Sequence, residues 1–217
     1  MLADATRLVA PLALAHEQTL PVLPELEELL PGGSIRRGSI VGVEGTGATS
    51  LALALAAGPS AAGSWTAFVG LPSIGLKAAE EAGVILSRLL VVRPPTPSSW
   101  SNIVAALVGS VDVIMVAGGR RSGRGDLRRL TARLRERGSV MIRLGVGDGA
   151  DVRLRVVGSE WNGLGDGHGL LQRRRVEVKA DGRGASSRPR SGEMYLPNLD
   201  GAPGPAGLAP VTNLRGA

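Results

Sequence analysis

From Ser39 onward the chain alternates short, nearly continuous apolar runs with longer segments of helical spacing, the pattern of a parallel sheet built with crossovers. The run "SIVGVE" predicts a strand at 39–44, and "TSLALALAA" a helix at 49–57 that is apolar all round and therefore buried. Further strands are predicted at "WTAFVGL" (65–71), "RLLVVRP" (88–94), "VDVIMVAG" (111–118) and "SVMIRLG" (139–145). The unbroken apolar character of 111–118 is what an inner parallel strand requires. Between the strands lie helices at "GLKAAEEAG" (75–83), at "SSWSNIVAALVG" (98–109), with a serine start and a glycine stop, and at "DLRRLTARLRERG" (126–138). In the last of these Asp126 is placed to cap the start and Gly138 the end, while Leu127, Leu130 and Leu134 recur on one face.

Both ends change character. Residues 1–32 read as a separate helical segment: "ADATRLVAPLALAHEQ", interrupted by Pro11, then the short acidic helix "PELEELL" opened by Pro24. "PGGSIRRG" reads as a turn. Beyond residue 150, "DVRLRVVG", "GLLQRRRVEVKAD" and "GEMYLP" alternate in the manner of hairpin-connected antiparallel strands. The triplet Arg173, Arg174 and Arg175 alternates across one of these strands, so at least one of its arginines must point inward, pair, or reach an interface. "GLGDGHG" (163–169) is flanked by strands and reads as a hairpin turn, with His168 a turn residue. Trp65, Trp100 and Trp161 read as core or edge packing rather than a base-stacking platform. Residues 198–217, rich in Pro and Gly, predict a disordered tail, leaving 33–197 as the core domain.

Composition narrows the chemistry. The chain of 217 residues is 43% hydrophobic, enough for a real core, but only 2% aromatic, so Val, Leu, Ile and Ala must build it. No apolar run reaches membrane-span length and the start lacks a secretion signal, so a cytoplasmic protein is expected. With no cysteine, disulfides, thiolate nucleophiles and Cys-based metal sites are excluded, and with two histidines metal chemistry is not expected. The net charge of +6 comes almost wholly from arginine, Lys77 and Lys179 being the two lysines. Such a balance suits an acidic partner such as nucleic acid, or is simply a solvated surface.

Against this background, "GVEGTGATS" (42–50) has the spacing of a phosphate loop, Gly-x-x-x-x-Gly-Lys-Ser/Thr, between a strand and a helix. Gly42, Gly47 and Thr49 hold their places, with Gly45 a further glycine inside the loop, but position 48 is Ala where the lysine would hold the phosphate. Losing a charge-assisted bond of about 1.5–3 kcal/mol weakens binding roughly ten- to a hundredfold. The metal-binding acid of such proteins ends a later apolar strand, and Ala117 stands there. Asp112 opens that strand at the wrong end of the sheet to replace it.

These segments resemble the core of the RecA recombinase family. The loop of that family reads G-P-E-S-S-G-K-T, and Glu44 falls on its glutamate; "VDVIMVAGG" is similar to V-D-V-I-V-V-D-S with the acid gone. "WTAFVGLPSIGLKAAEEAGV" resembles the segment carrying the water-activating glutamate, and Pro72 stands in its place. The resemblance covers residues 33–196. It implies an α/β fold with a RecA-like P-loop core, a mostly parallel central sheet with flanking helices and C-terminal antiparallel strands. The departures from that family at Ala48, Pro72 and Ala117 argue for no ATP turnover, no cofactor and no metal, with Thr49 reduced from a magnesium hydroxyl to a helix N-terminal residue.

The recombinase family binds DNA through two loops. The first corresponds to "GGRRSGRGD", with Arg120, Arg121 and Arg124 on a Gly-rich segment and Arg128 and Arg129 on the helix that follows. The same helix adds Arg133, Arg135 and Arg137, and its alternative reading is a solvated face partly paired with Glu136. The second loop is shortened to "GVGDGAD". Among RecA-like proteins with a dead site, the closing stretch "RLRVVGSEWNGLGDGHGLLQRRRVEVKADGRGASSRPR" looks most like the ImuA family and its actinobacterial ImuA-prime form. That resemblance implies a DNA-damage-induced (SOS) accessory of the error-prone translesion synthesis mutasome. Its partners would be ImuB, a catalytically inactive Y-family polymerase, and through it the sliding clamp and an error-prone C-family DNA polymerase, with nucleoid association when recruited. A SulA-type division inhibitor and a modulator of RecA filaments are the alternatives. The N-terminal run "LVAPLALA" and the tail are the expected partner-binding elements.

Overall fold

In the computed structural model of the chain, the apolar runs assemble into one nine-stranded sheet. The structure describes residues 18–117, 124–145, 147–164 and 169–206. Strands β1 (Thr19–Pro21) and β2 (Ser34–Arg36) form a small antiparallel pair. The large sheet contains β3 (Ile40–Gly45), β4 (Thr66–Val69), β5 (Leu89–Val92), β6 (Val113–Ala117), β7 (Val140–Leu144), β8 (Val152–Leu164), β9 (Gly169–Gly182), β10 (Arg190–Tyr195) and β11 (Gly204–Pro205). Their order is β11-β10-β9-β8-β3-β7-β6-β4-β5. From β8 to β5 every neighbouring pair is parallel, and from β8 to β11 every pair is antiparallel. The expected α/β architecture, mostly parallel with antiparallel strands at its C-terminal end, is therefore present.

Helices cover both faces, as parallel strands demand. On one face α2 (Ala48–Ala61) packs with α1 (Pro24–Glu27) and α3 (Leu76–Glu81) in a cluster that includes Leu51, Leu55, Phe68, Val178 and Met194. On the other, α4 (Trp100–Leu107) and α5 (Arg124–Arg137) enclose Val104, Leu130, Leu134, Ile114 and Met141. Leu51 through Ser60 of α2 are all buried, matching a helix apolar on every side. Trp100 lies in the core, whereas Trp65 and Trp161 lie at the surface with less than half of each residue accessible.

Several boundaries differ from the sequence expectation. Residues 19–32 are not a separate segment: Leu20, Leu26, Leu29 and Leu30 are buried in the first cluster. The backbone of Val22 lies so close to Gly58 that a Cβ there would come within 2.6 Å of the Val22 Cα. "PGGSIRRG" is more than a turn, because Ser34–Arg36 pairs with Thr19–Pro21, a strand too short to show periodicity. The tail does not begin at 198: Asn198 donates its N–H to the Ala202 carbonyl at 2.8 Å, and Gly204 pairs with Tyr195. Helix α5 starts at Arg124, so Asp126 lies inside its first turn instead of capping it. The turn ahead of α4 is capped by Thr96, whose hydroxyl accepts from the Ser99 N–H. Residues 1–17, with the run "LVAPLALA", and residues 207–217 lie outside the described residues.

Candidate phosphate-loop site

The motif at 42–50 folds as strand, tight turn and helix. β3 continues to Gly45, so only Thr46 and Gly47 separate it from α2. Gly45 and Gly47 have φ of 97° and 98°, a region L-residues avoid. Gly47 is the helix N-cap and supplies no side-chain cap, and the first helical bond runs from the Leu51 N–H to the Gly47 carbonyl at 3.2 Å. The first-turn N–H groups are left with the partial positive charge that makes a helix start attractive to anions.

Gly42 is not part of this turn. It sits buried inside β3, where an added Cβ would lie 3.3 Å from the Ala150 Cβ. The reason is the connection from β7 to β8, which crosses β3 on that face to reach the far side of it. Its anchors are three backbone-directed bonds: Gly145 N–H to the Val43 carbonyl (2.8 Å), Asp151 N–H to the Ile40 carbonyl (2.8 Å), and Ile40 N–H to Asp151 Oδ2 (2.9 Å). The motif's first glycine thus clears space for a crossing chain. Glu44 faces Arg155 across the β3–β8 ladder, and Arg155 Nε donates to Glu44 Oε1 at 2.7 Å. That bond and the carboxylate's charge raise the Arg155 pKa. Ala48 opens the helix and Thr49 is exposed on its first turn.

Missing from the sequence reading is the cation that does meet the loop. Arg174 is the inward member of the arginine triplet, only 8% exposed. Its guanidinium lies flat against Gly47, where an added Cβ would be 2.7 Å from Nη2. Nε donates to the Leu196 carbonyl at 2.7 Å and Nη2 to Ser50 Oγ at 3.0 Å, while the Trp161 ring stacks 5.4 Å away. No carboxylate of the described residues lies within ion-pair distance of it. Burial alone pushes its pKa down. The alternation of "RRR" signalled one inward arginine, but its target stands 124 positions away at Ser50 and leaves no local trace.

The other two positions carry no chemistry of their own. Pro72 is exposed just beyond β4, and Ala117 ends β6 opposite Leu144 of β7. Beside Ala117 on the opposite face is Arg143, buried, with Nε and Nη2 lacking hydrogen-bond partners. Burial lowers its pKa, and the charge of Asp148 partly offsets this. Asp112 is structural: it takes Arg37 Nη1 at 2.9 Å and the Trp65 N–H at 3.0 Å, at the amino end of the parallel strands. Among the described residues no group of three or more His, Cys, Asp or Glu could hold a metal ion, and no helix is long and apolar enough to cross a membrane.

The arginine surface is only partly described. Arg120 and Arg121 lie outside the described residues, and Arg124 begins α5 with its side chain likewise outside them. Arg128 and Arg129 are exposed on α5, and Arg135 reaches Asp151 at 3.6 Å. Glu136 forms no ion pair with a described arginine. A feature with no sequence forecast is the length of the β8–β9 hairpin. β3 stops opposite Val156, and beyond it the two strands run on to the Leu164–Gly169 pair. This ribbon exposes Trp161, Leu164, Leu170 and Leu171, with Leu170 79% accessible. The tip at 165–168, including His168, lies outside the described residues; its flanks are strands, as a hairpin requires.

Residues 28–148 match the family model described as the MT3502 N-terminal domain, a span that contains the loop, Pro72, Ala117 and α5 and stops before the ribbon. The chain is also 37% identical over 150 residues to the uncharacterized protein Rv3395c of Mycobacterium tuberculosis, covering 62% of this chain and 73% of that protein.

Proposed function

The chain belongs to the MT3502 N-terminal domain family, and from that premise we propose a non-catalytic adaptor with a RecA-like core, of the ImuA-prime type. In this reading it serves the DNA-damage-induced translesion synthesis mutasome by binding an inactive Y-family polymerase of the ImuB type. The observation that carries the reading is Arg174 seated against Gly47, at a loop whose lysine position is Ala48. A phosphate-transfer site needs a metal clamp and a group to orient the attacking water. Pro72 and Ala117 supply neither, so the loop remains as a strand-to-helix connection sealed by its own sheet.

With the chemistry gone from the loop, function moves to surfaces. The β8–β9 ribbon supports recognition of a protein, since it gathers four exposed apolar side chains, Trp161, Leu164, Leu170 and Leu171, on one hairpin, and exposed apolar surface marks interaction sites. Past Val156 the outer edge of β8 pairs with no other described strand, whereas β9 stays paired with β10 as far as Arg175; the open β8 edge suits strand addition by a partner. The experiment is co-purification of the tagged chain with an ImuB-type polymerase from damaged cells, beside a Leu170→Ser/Leu171→Ser variant. Both side chains are exposed, so the variant is expected to fold normally and lose the polymerase. Absence of the polymerase from the wild-type complex refutes the mutasome reading.

A further inference from the structure

At the edge of the sheet opposite the loop, the amino ends of β3 and β8 border a cleft of about 600 Å³. Its floor is apolar, from Leu30, Ile35, Val41 and Val152, and four arginines line it: Arg36, Arg37, Arg135 and Arg183. They arrive from separate places, the end of β2, the turn into β3, the last turn of α5 and the β9–β10 connection. Asp151 is the one carboxylate in the lining.

The charges do not cancel. Arg37 is neutralised by Asp112 at 2.9 Å. Arg135 meets Asp151 at 3.6 Å, while the other oxygen of that carboxylate accepts the Ile40 N–H at 2.9 Å. Arg183 Nε donates to the Ala150 carbonyl at 3.2 Å and has no carboxylate among the described residues. Arg36 is exposed and makes no ion pair there. Two guanidiniums with unused forks thus share an apolar-floored cleft with a third that is held loosely.

We propose that this cleft binds the phosphate group of a phosphate-bearing ligand, with Arg36 and Arg183 as its principal contacts. The planar guanidinium fork matches phosphate oxygens, and the volume falls within the roughly 300–1,000 Å³ of small-molecule sites. None of the lining residues is aromatic, so the contact is with phosphate and an apolar stem and not with a stacked base. The cleft owes nothing to the phosphate loop, the ribbon or any polymerase, and stands whether or not the adaptor reading does.

The test is calorimetric titration of the full chain with inorganic pyrophosphate at low salt. Saturable binding is expected, weakened about tenfold or more by Arg36→Glu and by Arg183→Glu. Arg93→Glu makes the same charge change at an exposed residue beyond β5 and is expected to leave affinity unchanged. Should either reversal prevent folding, Arg36→Gln and Arg183→Gln give the same readout. A short single-stranded oligonucleotide as competitor identifies the source: displacement of pyrophosphate points to a nucleic-acid backbone, and its persistence to a small phosphate ester. No saturable binding, or equal weakening by all three reversals, overturns the proposal.

Discussion

If the Arg174 guanidinium packs against Gly47, the two residues must be energetically coupled, and a double-mutant cycle measures by how much. Gly47→Ala places a Cβ at φ 98°, a left-handed strain of about 1–2 kcal/mol for an L-residue. In the wild-type background that Cβ also comes 2.7 Å from Nη2 and 2.9 Å from Cζ, so Arg174 must move. Overpacking of this kind costs about 1–3 kcal/mol. Arg174→Ala alone loses the bonds to the Leu196 carbonyl and Ser50 Oγ, each worth about 1.5–3 kcal/mol with a charged donor. Relief of an unpaired buried cation offsets part of that loss, leaving an expected net cost of roughly 1–3 kcal/mol. In the double variant the steric part disappears while the backbone strain stays, so it should be more stable than the sum of singles by about 1–3 kcal/mol. Urea unfolding followed by circular dichroism reads this as shifts of midpoint at constant slope. Additivity within about 0.5 kcal/mol would refute the placement of Arg174 on the loop.

Other outcomes follow from the same geometry. The chain should not hydrolyse ATP above background, and Ala48→Lys should not restore turnover because positions 72 and 117 still lack carboxylates; release of phosphate by that variant sinks the account. Gly58→Ala should cost at least about 1–3 kcal/mol, since its Cβ would strike the Val22 backbone, and an unchanged melting temperature counts against the docking of residues 19–32. Asp112→Ala removes the partner of both Arg37 and the Trp65 N–H and should cost about 1–3 kcal/mol, read by urea unfolding. If α5 meets a nucleic-acid backbone, the chain should be retained on DNA at low salt, and charge reversal at Arg128 and Arg129 should weaken that retention on every sequence tested; no retention, or undiminished retention by the variant, rejects that surface.

The sheet was legible from the chain because apolar runs of four to six residues, separated by helical spacing, have few alternatives once crossovers must cover both faces. The inner strands β3, β6 and β7 and the buried helix α2 are all of this kind. That positions 48, 72 and 117 hold Ala, Pro and Ala, where the proposed RecA-like reading wants a lysine and two acids, is likewise read by position alone. The small strands β1 and β2 escaped notice because three residues carry no period, and residues 198–206 because Pro and Gly suit an ordered turn as well as a loose tail.

What only the tertiary structure decided is what each polar group meets. Gly42 reads as a phosphate glycine until the β7–β8 crossover is seen passing over it, and Arg174 reads as one of three alternating cations until the sheet closes and brings it onto Gly47. The four arginines of the cleft are spread from Arg36 to Arg183 and share no pattern along the chain. Local sequence governs backbone period and burial, because those depend on neighbours a few residues away. Charge pairing and steric clearance depend on atoms brought together across long separations, and only the register of strands and the path of crossovers determine which atoms those are.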